Sequence, residues 1–241
     1  MPVTATPVPI LNDNYAWLLR DSATGATAIV DPAEAAPCIA AIEAAGGKLD
    51  LVLLTHHHGD HIAEADKVQA RFGARMVGAA ADAHRLPKLD QAVKEGDTVK
   101  LGNASARIIE TPGHTVGQIN YFFPDGAILC SGDTLFSLGC GRIIEGNPAM
   151  MYASMRKLAA LPDDTLVCCG HEYTVSNGKF ALHVEPDNKA LQARMAEVKA
   201  QRAAGKPSVP STIGSEKAAN PFLTAKDEAE FAARRKAKDS F

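Results

Sequence analysis

The run Thr55-His56-His57-His58-Gly59-Asp60-His61 follows directly on the apolar stretch Leu51-Val52-Leu53-Leu54. In an extended segment residues i and i+2 point the same way, so His56 and His58 can converge on one ion while His57 faces elsewhere. Gly59 then permits a turn that brings Asp60 and His61 to a second position, close enough for a neighbouring ion. Three further polar groups each follow an apolar run: Thr111-Pro112-Gly113-His114-Thr115, Ser131-Gly132-Asp133-Thr134 and Cys169-Gly170-His171-Glu172-Tyr173. Residues just beyond strand ends form the site in open α/β folds. A solvated histidine loop would account for the first run alone, but not for the recurrence at later strand ends. The candidate donors are five imidazoles (His56, His58, His61, His114, His171) and two carboxylates (Asp60, Asp133). Such a set suits zinc, iron or manganese, and the lack of a cysteine ligand disfavours a structural zinc site. Seven donors point to two ions with a carboxylate between them and open positions for a reacting water, which is a catalytic arrangement.

The elements that must carry these groups can be read from periodicity. Tyr15 to Leu19 and Ala26 to Val30 flank Asp21-Ser22-Ala23-Thr24-Gly25 and predict a β-hairpin. An Ala-rich helix is expected over 33–45, stopped by Gly46-Gly47, followed by a short buried strand from Leu51 to Thr55. A helix from near His61 to Phe72 and a strand from Arg75 to Ala79 complete a β-α-β step. Strands are expected at Ala106–Glu110, Ile119–Phe123 and Ala127–Cys130, with Pro124-Asp125-Gly126 as the turn between the last two. Pro148 to Ala160 reads as an amphipathic helix and Thr165 to Cys169 as one more buried strand. Beyond Tyr173 the strand signals stop. From Pro186 the Ala-, Lys-, Arg- and Glu-rich composition, broken by Gly205-Lys206-Pro207 and Asn220-Pro221, predicts a small helical part.

Composition bounds the partners. With 241 residues the chain can bury a sizeable core, and no apolar run approaches the roughly 18 residues that span a bilayer, so no membrane partner is expected. The first ten residues hold no basic cluster followed by an apolar stretch, which predicts a cytoplasmic protein. Five cysteines without a CxxC pair argue against a disulfide framework, and Cys130, Cys168 and Cys169 read as buried strand residues. Residues 189–241 hold 11 Lys+Arg against 6 Asp+Glu, while upstream the balance is 14 against 22. A basic tail on an acidic body suits a solvated helix face, a nucleic-acid contact or a subsite for a small anion. Without interleaved aromatics the nucleic-acid contact is the weakest of the three, and no nucleic-acid partner is expected.

His56, His58, Asp60 and His61 match the HxHxDH signature of the metallo-β-lactamase superfamily, and His114, Asp133 and His171 match its later ligand motifs. The chain more narrowly resembles the glyoxalase II family of hydroxyacylglutathione hydrolases. That resemblance rests on Leu11-Asn12-Asp13-Asn14-Tyr15, Gly139-Cys140-Gly141-Arg142, Cys169 to Thr174, the run from His183 to Asn188 and the basic carboxyl end. It implies an α/β fold, a metallo-β-lactamase-like αββα sandwich of two mixed β-sheets. It also implies a catalytic domain over 1–170 and a mainly helical substrate-binding domain over 171–241.

The ligand assignment it implies places His56, His58 and His114 on one metal and Asp60, His61 and His171 on the other. Asp133 bridges, and Asp60 and Asp133 are the carboxylates tied to the chemistry. Two divalent ions are implied, zinc first, with iron or manganese as alternatives. Arg142, Tyr173, Arg235 and Lys238 fall where the family holds glutathione, and Ile144 falls where it often has an aromatic residue. The implied reaction is hydrolysis of S-(2-hydroxyacyl)glutathione, S-D-lactoylglutathione above all, by a hydroxide held between the metals. Its products are glutathione and a 2-hydroxy acid such as D-lactate, as the second step of methylglyoxal detoxification in a monomeric enzyme. Other members of the superfamily act as lactonases, persulfide dioxygenases or RNA-processing nucleases, and product assays separate these.

Overall fold

A computed structural model describes residues 3–241, and its contacts divide the chain into two compact units. The first runs up to Glu110 and resumes at Gly117–Gly132; the second comprises Thr111–Val116 and Asp133–Phe241.

The first unit opens with β1 (Val3–Ile10), β2 (Asn14–Asp21) and β3 (Thr27–Val30), which pair antiparallel. The expected hairpin is β2–β3. The strand outside it, β1, was masked in the sequence by Pro7 and Pro9. Their spacing of two puts both missing N–H groups on one side, which the open edge of the sheet tolerates. Helix α1 (Ala35–Ala44) then leads to β4 (Leu51–Leu53), and α3 (Ala65–Phe72) leads from β4 to β5 (Arg75–Ala79). The pairs β3–β4, β4–β5 and β5–β6 (Gln91–Val93) are parallel, so this six-stranded sheet is mixed. Residues of β3, β4 and most of β5 are buried on both faces, the mark of parallel strands covered from two sides. One cover is α1 and α3, whose Cys38, Ile42 and Val68 pack with Ile29, Val52, Leu54 and Met76.

The other cover is an antiparallel run of β7 (Thr98–Leu101), β8 (Ala104–Glu110), β9 (Ile119–Phe123) and β10 (Ile128–Gly132). Tyr121 of β9 crosses the interior, its hydroxyl 2.9 Å from Leu54 O and 3.2 Å from Val77 O. Those are carbonyls a buried phenol must reach, because leaving the hydroxyl without a partner costs about 1–3 kcal/mol. Burial pushes the Tyr121 phenol well above its usual pKa.

One expectation changes in detail. The helix from His61 to Phe72 is broken into a single turn, α2 (Gly59–Ile62), and α3. Glu64 stands at the break with non-helical angles, and its carboxylate accepts the Ala35 N–H at 2.7 Å. That bond anchors the chain to the start of α1.

The second unit holds a two-strand hairpin of β11 (Leu135–Phe136) and β12 (Gly139–Cys140), then α4 (Pro148–Ala159) and β13 (Leu166–Cys169). Helices α5 (Thr174–Val184), α6 (Lys189–Ala203), α7 (Ile213–Ala219) and α8 (Glu228–Asp239) follow. The helical tail is as expected except for β14 (Ser211–Thr212), a short strand antiparallel to β13. Two residues carry too little pattern to announce a strand. Helix α8 is capped by Asp227, which accepts from Glu230 N–H, with acidic residues in its first turn and Lys236 and Lys238 in its last. Both charge sets suit the helix dipole.

Candidate active site

The sequence-derived donors follow strand ends, with Asp60 and His61 carried by the helical turn α2 beyond β4. In the first unit, β4 runs out at Leu53 and the chain passes through Thr55 into the histidines. His56 and His61 are buried, His58 is half-buried, and Asp60 is exposed. The hydrogen bonds of the buried rings decide which nitrogens are available. His61 Nδ1 lies 3.0 Å from Asp31 Oδ2, so its proton sits on Nδ1 and Nε2 offers a lone pair, 3.6 Å from Asp60 Oδ2. Thr55 Oγ1 donates to Asp31 Oδ2 at 2.6 Å and is left to accept from His56 Nδ1 at 3.0 Å. His56 Nε2 therefore faces His58 Nδ1, 3.2 Å away. The Asn14 amide holds Asp60, donating to its Oδ2 at 3.0 Å and its carbonyl at 3.1 Å.

Asp31 was not singled out in the sequence. It follows β3 directly, is buried with φ 51°, and accepts from Thr55 N and Thr55 Oγ1 as well as His61. It lies close to His56 and His61, and both of its oxygens accept hydrogen bonds, from Thr55 and His61. Those bonds orient His61 and the Thr55 backbone that leads into His56, the part a carboxylate behind a ligand imidazole plays. The signal was present, an acid at the end of an apolar strand before Pro32, but a lone Asp-Pro also reads as a turn.

In the second unit, Asp133 comes immediately after Gly132, whose φ of 47° turns the chain out of β10. One oxygen of Asp133, Oδ2, lies 3.3 Å from His171 Nε2 and 3.6 Å from His114 Nε2. His114 Nδ1 donates to Arg142 O at 2.7 Å, leaving its Nε2 as the lone pair. All three side chains are buried. The Asp133 carboxylate oxygen facing the His114 lone pair is unfavourable unless a cation or a proton lies between them, and His171 Nε2 stands at the same oxygen. This donor set fits divalent ions.

Arg142, Tyr173, Arg235 and Lys238 line one cavity of about 240 Å³ in the second unit, together with Phe136, Cys140, Ser176 and Asn177. The β11–β12 hairpin that forms one wall is pinned from below. Buried Glu216 accepts from Leu138 N at 2.8 Å, and Asn220 donates to Glu216, Phe136 O and Gly139 O. Burial raises the Glu216 pKa. Arg235 is 7% exposed, donates to Cys140 O and Asp239 at 2.9 Å each, and lies over the Phe222 ring. Lys238 Nζ is 3.4 Å from Ser176 Oγ, and burial, with Arg235 nearby, lowers its pKa. Tyr173 stacks on the His171 ring at 4.4 Å and 10°, so the cavity abuts a candidate ligand. Ile144 is 57% exposed and is not among the residues lining this cavity. All five cysteines are buried, and burial pushes the thiol of Cys140 up to about 11 and that of Cys169 up to about 12.

A family model of the metallo-beta-lactamase superfamily matches residues 11–171, and a model of the hydroxyacylglutathione hydrolase C-terminus matches residues 172–241. A hydroxyacylglutathione hydrolase of Acidiphilium cryptum (strain JF-5) is 60% identical over 238 residues, covering 99% of this chain and 97% of the relative. One from Cereibacter sphaeroides (strain ATCC 17025 / ATH 2.4.3) is 50% identical over 95% of this chain and 90% of its own length. Among solved structures, the BLEG-1 B3 metallo-beta-lactamase superposes with a TM-score of 0.71 at 23% identity, over 92% of this chain and all (100%) of that one. That likeness speaks to the fold, the α/β metallo-β-lactamase fold with a helical carboxyl-terminal part. The chain belongs to the hydroxyacylglutathione hydrolase family of metal-dependent hydrolases.

Proposed function

We propose that the chain hydrolyses S-(2-hydroxyacyl)glutathione, with S-D-lactoylglutathione as the reference substrate, to glutathione and a 2-hydroxy acid. The observation that carries this reading is the stacking of Tyr173 on His171, which sets a cavity lined by three cationic side chains directly against a candidate metal ligand. Glutathione carries two carboxylates and one ammonium, a net anion suited to Arg142, Arg235 and Lys238. Charge-assisted hydrogen bonds of this kind contribute about 1.5–3 kcal/mol each when well formed, less where solvent reaches them.

By family resemblance His56, His58 and His114 hold one ion, Asp60, His61 and His171 the other, and Asp133 both; zinc is the first candidate, with iron or manganese as alternatives. Bound there, divalent ions supply a water of lowered pKa and an electrophile for the thioester carbonyl. The chain does the rest by position. Arg142 O and Asp31 hold His114 and His61 in the tautomer that presents Nε2. The leaving thiolate has a conjugate acid near pKa 8.5 and needs no strong general acid.

Residues 1–170 are proposed as the catalytic part and 171–241 as the substrate-binding part, since Tyr173, Arg235 and Lys238 come from the latter. A monomeric cytoplasmic enzyme is proposed as well. Five buried cysteines suit a reducing compartment, and no helix among the described residues is long and apolar enough to cross a membrane. Purified protein is expected to hydrolyse S-D-lactoylglutathione, to contain about two metal equivalents, and to lose turnover on chelation. Full-rate hydrolysis after verified metal removal overturns the mechanism, and absence of thioesterase activity in a metal-loaded sample overturns the substrate.

A further inference from the structure

His57 stands between two candidate ligands and belongs to neither metal set. Its ring is nevertheless held at both nitrogens, Nδ1 lying 3.1 Å from Asp82 Oδ2 and Nε2 3.2 Å from Arg85 Nη1. A guanidinium can only donate, so Nε2 accepts, and the ring proton on Nδ1 goes to Asp82. Arg85 closes the loop of contacts, donating to Asp82 Oδ1 from Nη2 at 2.5 Å and from Nε at 3.2 Å. Asp82 is 1% exposed and ends a single 3-10 turn, Ala80–Asp82, that follows β5. Because β4 and β5 are neighbouring parallel strands, their carboxyl ends lie side by side. A residue just past β5 therefore reaches the histidines just past β4. A Cβ at Gly117 would fall 2.2 Å from Asp82 Cγ, so the carboxylate is packed against main chain there, two residues before β9.

We propose that Asp82 and Arg85 are positioning residues that clamp His57 and thereby fix the backbone that aims His56 and His58, with Gly117 leaving room for the clamp. In an extended segment neighbouring residues share peptide planes, so a ring fixed at both ends restricts the directions of the side chains on either side of it. Asp82 is buried and Arg85 half-buried; taking a carboxylate out of water to pair it is a poor way to gain stability, and specifying one geometry is the best-attested use of such a pair. The clamp acts one step further from the ions than groups that hydrogen-bond the ligands themselves, whose loss weakens metal affinity about 10–100-fold. The inference rests on the reading of His56 and His58 as ligands.

The test is titration of zinc-loaded protein with a competing chromophoric chelator, alongside thermal melts of the same samples. Asp82→Asn and Arg85→Gln are expected to weaken zinc binding by about 10-fold, the lower end of that range, with KM for the thioester unchanged. His57→Ala should do the same, and adding it to Asp82→Asn should bring little further loss, since the residues act as one unit. Should Asp82→Asn not fold, Arg85→Lys carries the same measurement, because an ammonium cannot fork between Asp82 and His57. Zinc affinity equal to that of the parent in the single variants, whatever their melting points, overturns the clamp, as do fully additive losses. A parent protein that holds no zinc, iron or manganese would overturn the ligand reading itself, an outcome distinct from a parent that binds and variants that bind equally well.

Discussion

In the first unit, His56, His58, Asp60 and His61 come from one short stretch at the end of β4, and their directions follow from strand alternation and a single helical turn. The cavity of the second unit draws on a hairpin, the start of α5 and the last turns of α8, so that Arg235 meets Cys140 O across 95 positions of sequence. The histidine loop needs a short buried strand and hydrogen bonds to the buried Asp31. The cavity needs α8 docked through Phe231, the hairpin held by Glu216 and Asn220, and Arg235 buried between them. Local geometry and long-range packing thus carry the two halves of the proposed function. Damage to one should read mainly as lost turnover, and damage to the other as weakened substrate binding or stability.

The largest expected effect breaks this division on the chemical side. Asp133 belongs to the second unit, yet with His114 and His171 of that unit it stands on the metal side of the chemistry, and Asp133→Ala should lower metal content together with turnover. The loss in kcat is expected to be on the order of 10³-fold, the scale of removing one electrostatic stabiliser of a transition state. Metal analysis and steady-state kinetics check it, and normal metal content with near-normal rate would refute the bridging role.

Arg235 and Lys238 sharpen the comparison because they share a cavity but differ in burial. Uniform binding contacts raise KM when lost and leave kcat alone. Each alanine variant is expected to raise KM about tenfold, the effect of roughly 1.4 kcal/mol. Only Arg235→Ala should also destabilise the fold, by about 1.5–3 kcal/mol, because Cys140 O and Asp239 lose a charged donor. Lys238, with its longer contact to Ser176 Oγ, should melt close to the parent. Equal melting points for the two variants would remove the structural role assigned to Arg235.

The smallest effect concerns pH. Burial raises the Glu216 pKa in the folded chain, so its contribution to stability is fully present below its unfolded pKa, near 4.5, and is lost as pH rises through the folded value. Glu216→Gln keeps an acceptor for Leu138 N without a charge to bury. The variant should gain on the parent as pH rises from about 5 to 8. The gain is read as a difference in melting point between variant and parent that widens with pH. A constant difference in melting point across that range would place the cost of Glu216 elsewhere.

The sequence by itself determined the candidate ligands and the elements that deliver them. A histidine pair at i and i+2 after an apolar run, and a glycine beside each later donor, are local patterns visible without the fold, and their recurrence at successive strand ends gives them their meaning. It also determined β5 and β9 to the residue, since short apolar strands bounded by turns are local signals too. Tertiary structure alone decided the break at Glu64, the edge strand with its two prolines, and the roles of Asp31 and Asp82. It alone decided that Arg142, Tyr173, Arg235 and Lys238 share a cavity, with Arg235 spent partly on structure. A carboxylate or a cation gains a role only from what it is buried against. That partner is set by which strands lie side by side and which helix docks on them, information spread over the whole chain rather than held in any one segment of it.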